Sequence, residues 1–132
     1  MEYKELVKTA IKAREKAVVP YSKFKVGAAV ITEDGSVYEG CNIENASYGA
    51  TNCAERTAIF KAVSEGHREI KVIAVVGDMS TFTTPCGICR QVIAEFASKD
   101  LKIIIIKNED EYVVKNLEDI LPGAFTKEDL LK

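Results

Sequence analysis

A chain of 132 residues suits one domain over 1–132, and its 47% hydrophobic and 29% charged residues exclude disorder or fibre for the chain as a whole. Eighteen basic against twenty acidic residues, a formal charge of -2, lack the basic footprint of a duplex nucleic-acid binder. No apolar run approaches the ~20 residues of a membrane span, and charges throughout 1–18 leave no signal-peptide core. The expected setting is therefore cytoplasmic, with neither membrane nor nucleic acid as partner.

In chain order, Leu6, Val7, Ala10, Ile11, Ala13, Ala17 and Val18 recur at helical spacing and predict an amphipathic helix that stops near Pro20. Lys25 to Thr32 reads as a strand, Glu33-Asp34-Gly35-Ser36 as a hairpin turn, and Val37 to Ile43 as the returning strand. The polar stretch Asn42 to Asn52 is a loop. A helix follows from Cys53, with Ala54, Ala58, Ile59, Ala62 and Val63 on one face, and Gly66 ends it. Ile70 to Val76 is a β-branched run that predicts a strand buried on both faces. After the loop Gly77 to Thr84 come a helix from Gly87 to Ser98, a strand over Leu101 to Ile106, a short edge strand over Glu111 to Val114 and a short helix over Leu117 to Leu121. This order implies an α/β fold: a three-layer α-β-α sandwich around a mixed sheet of about five strands, with the later strands parallel across their helical crossovers.

Four cysteines, Cys41, Cys53, Cys86 and Cys89, need a role other than disulfides in a reducing compartment. Pro85-Cys86-Gly87-Ile88-Cys89 has the two-residue gap of a metal-binding pair, and Cys53-Ala54-Glu55-Arg56 supplies a third thiol. Each segment lies where a loop enters a predicted helix, and free N–H groups with a positive dipole end stabilise thiolates there. Two helix starts meeting at one point could hold three thiolates around a zinc ion, leaving the fourth tetrahedral position to water, as catalytic sites do. Glu55, two residues after Cys53, is placed to reach such a water without binding the metal, and to move its proton.

Cys-Ala-Glu followed by Pro-Cys-x-x-Cys resembles the zinc-dependent nucleoside and nucleobase deaminases. Cys41-Asn42-Ile43-Glu44-Asn45-Ala46-Ser47-Tyr48, Thr51 to Thr57, Cys89-Arg90-Gln91-Val92 and the tail Leu121-Pro122-Gly123-Ala124-Phe125 narrow the likeness to the small cytidine deaminases, over nearly the whole chain. The resemblance implies one Zn2+ per chain on Cys53, Cys86 and Cys89. It makes Glu55 the proton shuttle for hydrolytic deamination of cytidine and 2'-deoxycytidine. It also makes Asn42 and Glu44 readers of the ribose hydroxyls, with Phe24 beside sugar and base and the Ala54 backbone on the pyrimidine. Tyr48 and Phe125 are expected at subunit contacts that complete neighbouring pockets in a homotetramer.

Three thiolates exceed the charge of a divalent ion by one. Arg56, the adjacent cation, is expected to donate hydrogen bonds to them, with Gln91 assisting and the helix dipoles adding to the effect. Three other readings compete. Cys86 and Cys89 alone would fit a thioredoxin-like redox pair. Cys41 as a fourth ligand would make a structural zinc site. A deaminase of a cytosine-containing antibiotic such as blasticidin S would share the zinc motif without needing the Asn-x-Glu loop. His67, in a polar helix exit, reads as a surface residue rather than a ligand.

Overall fold

A computed structural model describes residues 2–131, so Met1 and Lys132, the two ends of the expected domain, lie outside the described residues. The helices are α1 (Tyr3–Arg14), α2 (Ala54–Ser64), α3 (Gly87–Phe96), α4 (Leu117–Ile120) and α5 (Lys127–Leu130). The strands are β1 (Gly27–Thr32), β2 (Val37–Cys41), β3 (Ile70–Val76), β4 (Ala97–Asn108) and β5 (Glu111–Asn116). They form one five-stranded sheet in the order β2-β1-β3-β4-β5. Only β3 and β4, joined through α3, run parallel; every other neighbouring pair is antiparallel. Among the described residues no helix is long and apolar enough to cross a membrane.

Alternation along the central strands builds two cores. Ala28, Val30, Ile73, Ile103 and Ile105 face Ala54, Ala58, Ile59 and Ala62 of α2 and Ile93 of α3. Ala29, Ile31, Ala74, Val76, Ile104 and Ile106 face Leu6, Val7 and Ala10 of α1. The apolar runs over 70–76 and 101–106 are continuous because each strand feeds both layers, which gives the expected α-β-α sandwich.

The structure corrects several boundaries. The first helix stops at Arg14, because the Val18 N–H leaves the helical ladder to donate to the Asn42 carbonyl at 3.0 Å and Val18 pairs with Ile43. The helix expected to reach Ser98 ends at Phe96, since Ala97 already pairs with Ile70 on β3. A further short helix, α5, is closed by reciprocal hydrogen bonds between Thr126 and Asp129. Gly66 does end α2, at φ +105, where the His67 N–H donates to the Ala62 carbonyl.

The topology assembles one edge of the sheet. Gly27 at the start of β1 lies opposite both Cys41, the end of β2, and Val76, the end of β3. The segments entering β1 and leaving β2 and β3 therefore meet there, and the latter two lead into the first turns of α2 and α3. Close packing fixes their distance. A Cβ on Gly40 of β2 would stand 2.6 Å from the Ala58 nitrogen and 2.7 Å from the Ala54 carbonyl oxygen, so the absence of a side chain lets α2 lie directly on the strand. Gly40→Ala must push α2 outward. The expected loss is roughly 1–3 kcal/mol of stability, read as a lowered urea midpoint at unchanged m-value. An unmoved midpoint would show that the helix has room to spare.

Candidate active site

Cys53 is the N-cap of α2 and Cys86 the N-cap of α3, both in extended conformation, and Cys89 lies in the first turn of α3. Their Sγ atoms all fall within 4.8 Å of one another, and those of Cys53 and Cys86 are 3.7 Å apart. A tetrahedral zinc ion with bonds of about 2.3 Å holds its sulfurs about 3.8 Å apart, so the three thiols fit that ion closely. Cys41, on the end of β2, stands outside this group.

The electrostatics of the thiols are unequal. The Cys53 thiol is pulled down to about 5, first by its hydrogen bond with Cys89 and further by that from Arg56, against burial. Cys89 moves the other way: hydrogen bonding to Cys53, burial and the negative charges of Glu55 and Cys53 hold its proton on. The trio thus accommodates one thiolate easily and resists the next. A divalent cation removes that resistance, and cysteine ligands ionise as the metal binds.

Arg56 meets the charge. Its Nη2 donates to Cys53 Sγ at 3.3 Å and to the Thr51 carbonyl at 3.4 Å, while its Nε is buried without a partner among the described residues. The Cys89 N–H donates to Cys86 Sγ at 3.5 Å. The thiol-directed hydrogen bond expected of Gln91 is not formed. Gln91 is exposed, and its Nε2 donates to the Phe125 carbonyl at 2.7 Å. Arg90, its neighbour, is the structural member of that pair. It donates to the Pro85 carbonyl at 2.8 Å and to the Ile120 carbonyl at 2.7 Å, tying the cysteine loop to α4.

Glu55, in the first turn of α2, is 3% exposed. Burial, aided by the negative charge of Cys53, lifts its carboxyl from 4.5 to about 7. A carboxyl poised near neutrality can both take and return a proton.

Glu55, Ala54, Cys53 and Cys86 share a cavity of about 190 Å³ with Phe24 and Asn42. Val26, Thr51, Asn52, Thr83 and Thr84 complete it; these sequence reasoning missed, although Asn52 and Thr84 sit directly beside the cysteine motifs. Phe24 keeps its place because Gly77 has no side chain: a Cβ there would come 2.8 Å from the ring. A second hollow of about 380 Å³ adjoins at Thr51, lined by Tyr21, Ser22, Glu44 and Tyr48. Tyr48 is 78% exposed and meets Tyr21 edge-on. Phe125, 60% exposed, lies in a separate groove with Gln91. Of the residues singled out in the sequence, the fold brings together Cys53, Cys86, Cys89, Ala54, Glu55, Arg56, Phe24 and Asn42. It sets Glu44 and Tyr48 next door, and Gln91 and Phe125 apart. His67 is not the surface residue expected: its ring is largely buried, 3.1 Å from the Tyr38 hydroxyl and 3.5 Å from Glu33.

A thiol trio of zinc-binding geometry, flanked by a buried carboxyl and open to a cavity, defines the class as a zinc-dependent enzyme. Comparison with known proteins agrees. Residues 1–105 match the family model described as the cytidine and deoxycytidylate deaminase zinc-binding region. The cytidine deaminase of Halalkalibacterium halodurans is 54% identical over 98% of this chain and 98% of its own. That of Sporosarcina psychrophila is 52% identical over 98% and 96%. The crystal structure of the Burkholderia pseudomallei cytidine deaminase superposes with a TM-score of 0.89 at 48% identity, covering 95% of this chain and 100% of that one. The chain belongs to the cytidine and deoxycytidylate deaminase family.

Metal analysis tests the ligand set. Cys86→Ser should bring zinc well below one per chain, whereas Cys41→Ser should leave the stoichiometry of the parent. Loss of the metal on changing Cys41 would put that residue in the site.

Proposed function

We propose that this chain, as a single domain, catalyses the hydrolytic deamination of cytidine and 2'-deoxycytidine, giving the uridine nucleosides and ammonia in pyrimidine salvage. The observation that carries the reading is the buried Glu55 beside three thiols, lining a cavity that shares Thr51 with the hollow of Glu44. Cys53, Cys86 and Cys89 would hold one Zn2+. Bound there, the ion supplies a Lewis acid that makes water nucleophilic at neutral pH.

The chain's own groups do the rest. C4 of the pyrimidine gains a hydroxyl from water. Glu55 takes the proton released by water and delivers it to ring N3. It then carries the proton of the new hydroxyl to the amino group, which leaves as ammonia while C4 becomes the carbonyl of the uridine. Its elevated pKa suits both directions of transfer. Ala54, first residue of α2, has an N–H free of helical partners to offer the pyrimidine. Phe24 supplies an apolar wall. Arg56 offsets the excess charge of three thiolates. Asn42 and Glu44 receive the sugar hydroxyls.

Both sugar-reading groups already have protein partners. Asn42 Oδ1 accepts from the Val26 N–H at 2.9 Å, and its Nδ2 donates to the Phe24 carbonyl at 2.9 Å. Each end of that amide keeps one further site, since a carbonyl oxygen has two lone pairs and an NH2 two hydrogens. The protein partners fix the amide's orientation and leave one site at each end for a ligand. The free nucleoside is the substrate, a reading supported by the net charge of -2, which lacks the basic excess that polynucleotide binding uses. The setting is cytoplasmic.

Loss of cytosine absorbance on adding cytidine to the zinc-loaded protein tests the reading directly. Blasticidin S run in parallel separates the antibiotic deaminases. Glu55→Gln should keep its zinc and lose about 10²–10⁴ of kcat. Turnover near that of the parent would remove Glu55 from the chemistry.

The exposed Tyr48 and Phe125 support a homotetramer in which one subunit closes a neighbour's pocket. Light scattering should give four chains, and Phe125→Ala should raise KM with zinc retained. A fully active monomer would refute shared sites.

A further inference from the structure

Glu44 is the most heavily engaged carboxylate beside the cavity. Its Oε1 accepts from the backbone N–H groups of Tyr21, at 3.0 Å, and Ser22, at 3.1 Å. Its Oε2 accepts from the Ser22 hydroxyl. A carboxylate offers about four acceptor sites in all. Two on Oε1 and one on Oε2 are taken, so one lone pair remains, on the oxygen that Ser22 holds. The Ser22 hydroxyl is itself oriented, because its oxygen accepts from the Phe24 N–H at 3.0 Å. With that N–H fixed in front of the oxygen, the hydroxyl hydrogen turns toward Glu44. A relay thus runs from the backbone of Phe24, whose ring walls the cavity, through Ser22 to the carboxylate of the adjoining hollow.

We infer that Ser22 is a positioning residue that aims the one free lone pair of Glu44 at the 2'- or 3'-hydroxyl of a substrate sugar, and so sets how strongly the site distinguishes nucleosides that carry these hydroxyls from their 2',3'-dideoxy forms. The inference rests on the nucleoside reading above. The alternative role for Ser22 is purely local, closing the tight turn that carries Lys23 at φ 62. The two roles separate by substrate. Without the hydroxyl, Glu44 is still held through Oε1, but Oε2 is free to rotate or to bind water, and a sugar hydroxyl must compete for it. The Phe24 N–H is exposed enough for water to replace its lost acceptor, and the Asn42 amide still fixes the Phe24 carbonyl. The base end of the pocket therefore stays as it is. The Glu44 carboxyl is held below its ordinary range, first by the Ser22 hydroxyl, which agrees with an ionised acceptor.

The test compares cytidine with 2',3'-dideoxycytidine on zinc-loaded parent, Ser22→Ala and Ser22→Thr proteins. Ser22→Ala should raise KM for cytidine about tenfold, the cost of one charge-assisted hydrogen bond, with kcat and zinc content unchanged. KM for the dideoxynucleoside should move less than about twofold, because it lacks the 2'- and 3'-hydroxyls, one of which Glu44 would receive. Ser22→Thr, which keeps the hydroxyl, should restore the parent ratio. An equal loss on both substrates would assign Ser22 to the turn alone and overturn the inference, as would parent-like cytidine kinetics in Ser22→Ala or a threonine variant that behaves like alanine. A parent protein that leaves cytidine untouched would instead overturn the nucleoside reading, and the inference with it.

Discussion

The structure depends on two helix N-termini brought to one point. Cys53 caps α2 and Cys86 caps α3, so the free N–H groups and positive dipole ends of both helices surround the thiols. Three thiols that resist a second ionisation are held together here by covalent attachment to helices whose other contacts are apolar: Ala58, Ile59 and Ala62 of α2 and Ile93 of α3 are locked into the core on one side of the sheet. The core supplies the rigidity, and the helix ends supply the field. Arg56 and Arg90 complete the arrangement, one answering charge at Cys53 and the other fixing the backbone at Pro85.

The antiparallel centre of the sheet makes this convergence possible. Because β1 runs against both β2 and β3, its entry lies beside their exits. Phe24 and Val26 before β1, Asn42 after β2, and Thr83 and Thr84 after β3 are drawn into one cavity although they are spread over sixty residues of chain. Side-chain to backbone hydrogen bonds hold the loops at this edge: Asn42 between Phe24 and Val26, Glu44 on Tyr21 and Ser22, and Thr57 reaching the Cys41 carbonyl at 3.0 Å. Each such group leaves a small remainder of hydrogen-bonding capacity, and that remainder is what a ligand meets.

The chemistry was legible in the sequence by itself because it is local. Cys-x-x-Cys and Cys-Ala-Glu each sit within one helical turn, so spacing alone placed the donors on helix starts, and the excess of thiolate charge pointed to Arg56. The layers were legible too, since a run such as Ile103 to Ile106 can serve only a strand with a core on each face. Tertiary structure decided whatever depends on competition between partners far apart in the chain. Val18 leaves α1 because Asn42 offers its N–H another acceptor, and Ala97 joins β4 because Ile70 lies alongside. Nothing in the sequence around Gln91 says that its amide goes to the Phe125 carbonyl rather than to a thiol, or that Ser22 hydrogen-bonds with Glu44 across more than twenty residues. Local pattern fixes which groups a segment carries. Which of them remain free for a ligand is set only when the folded chain has filled the others.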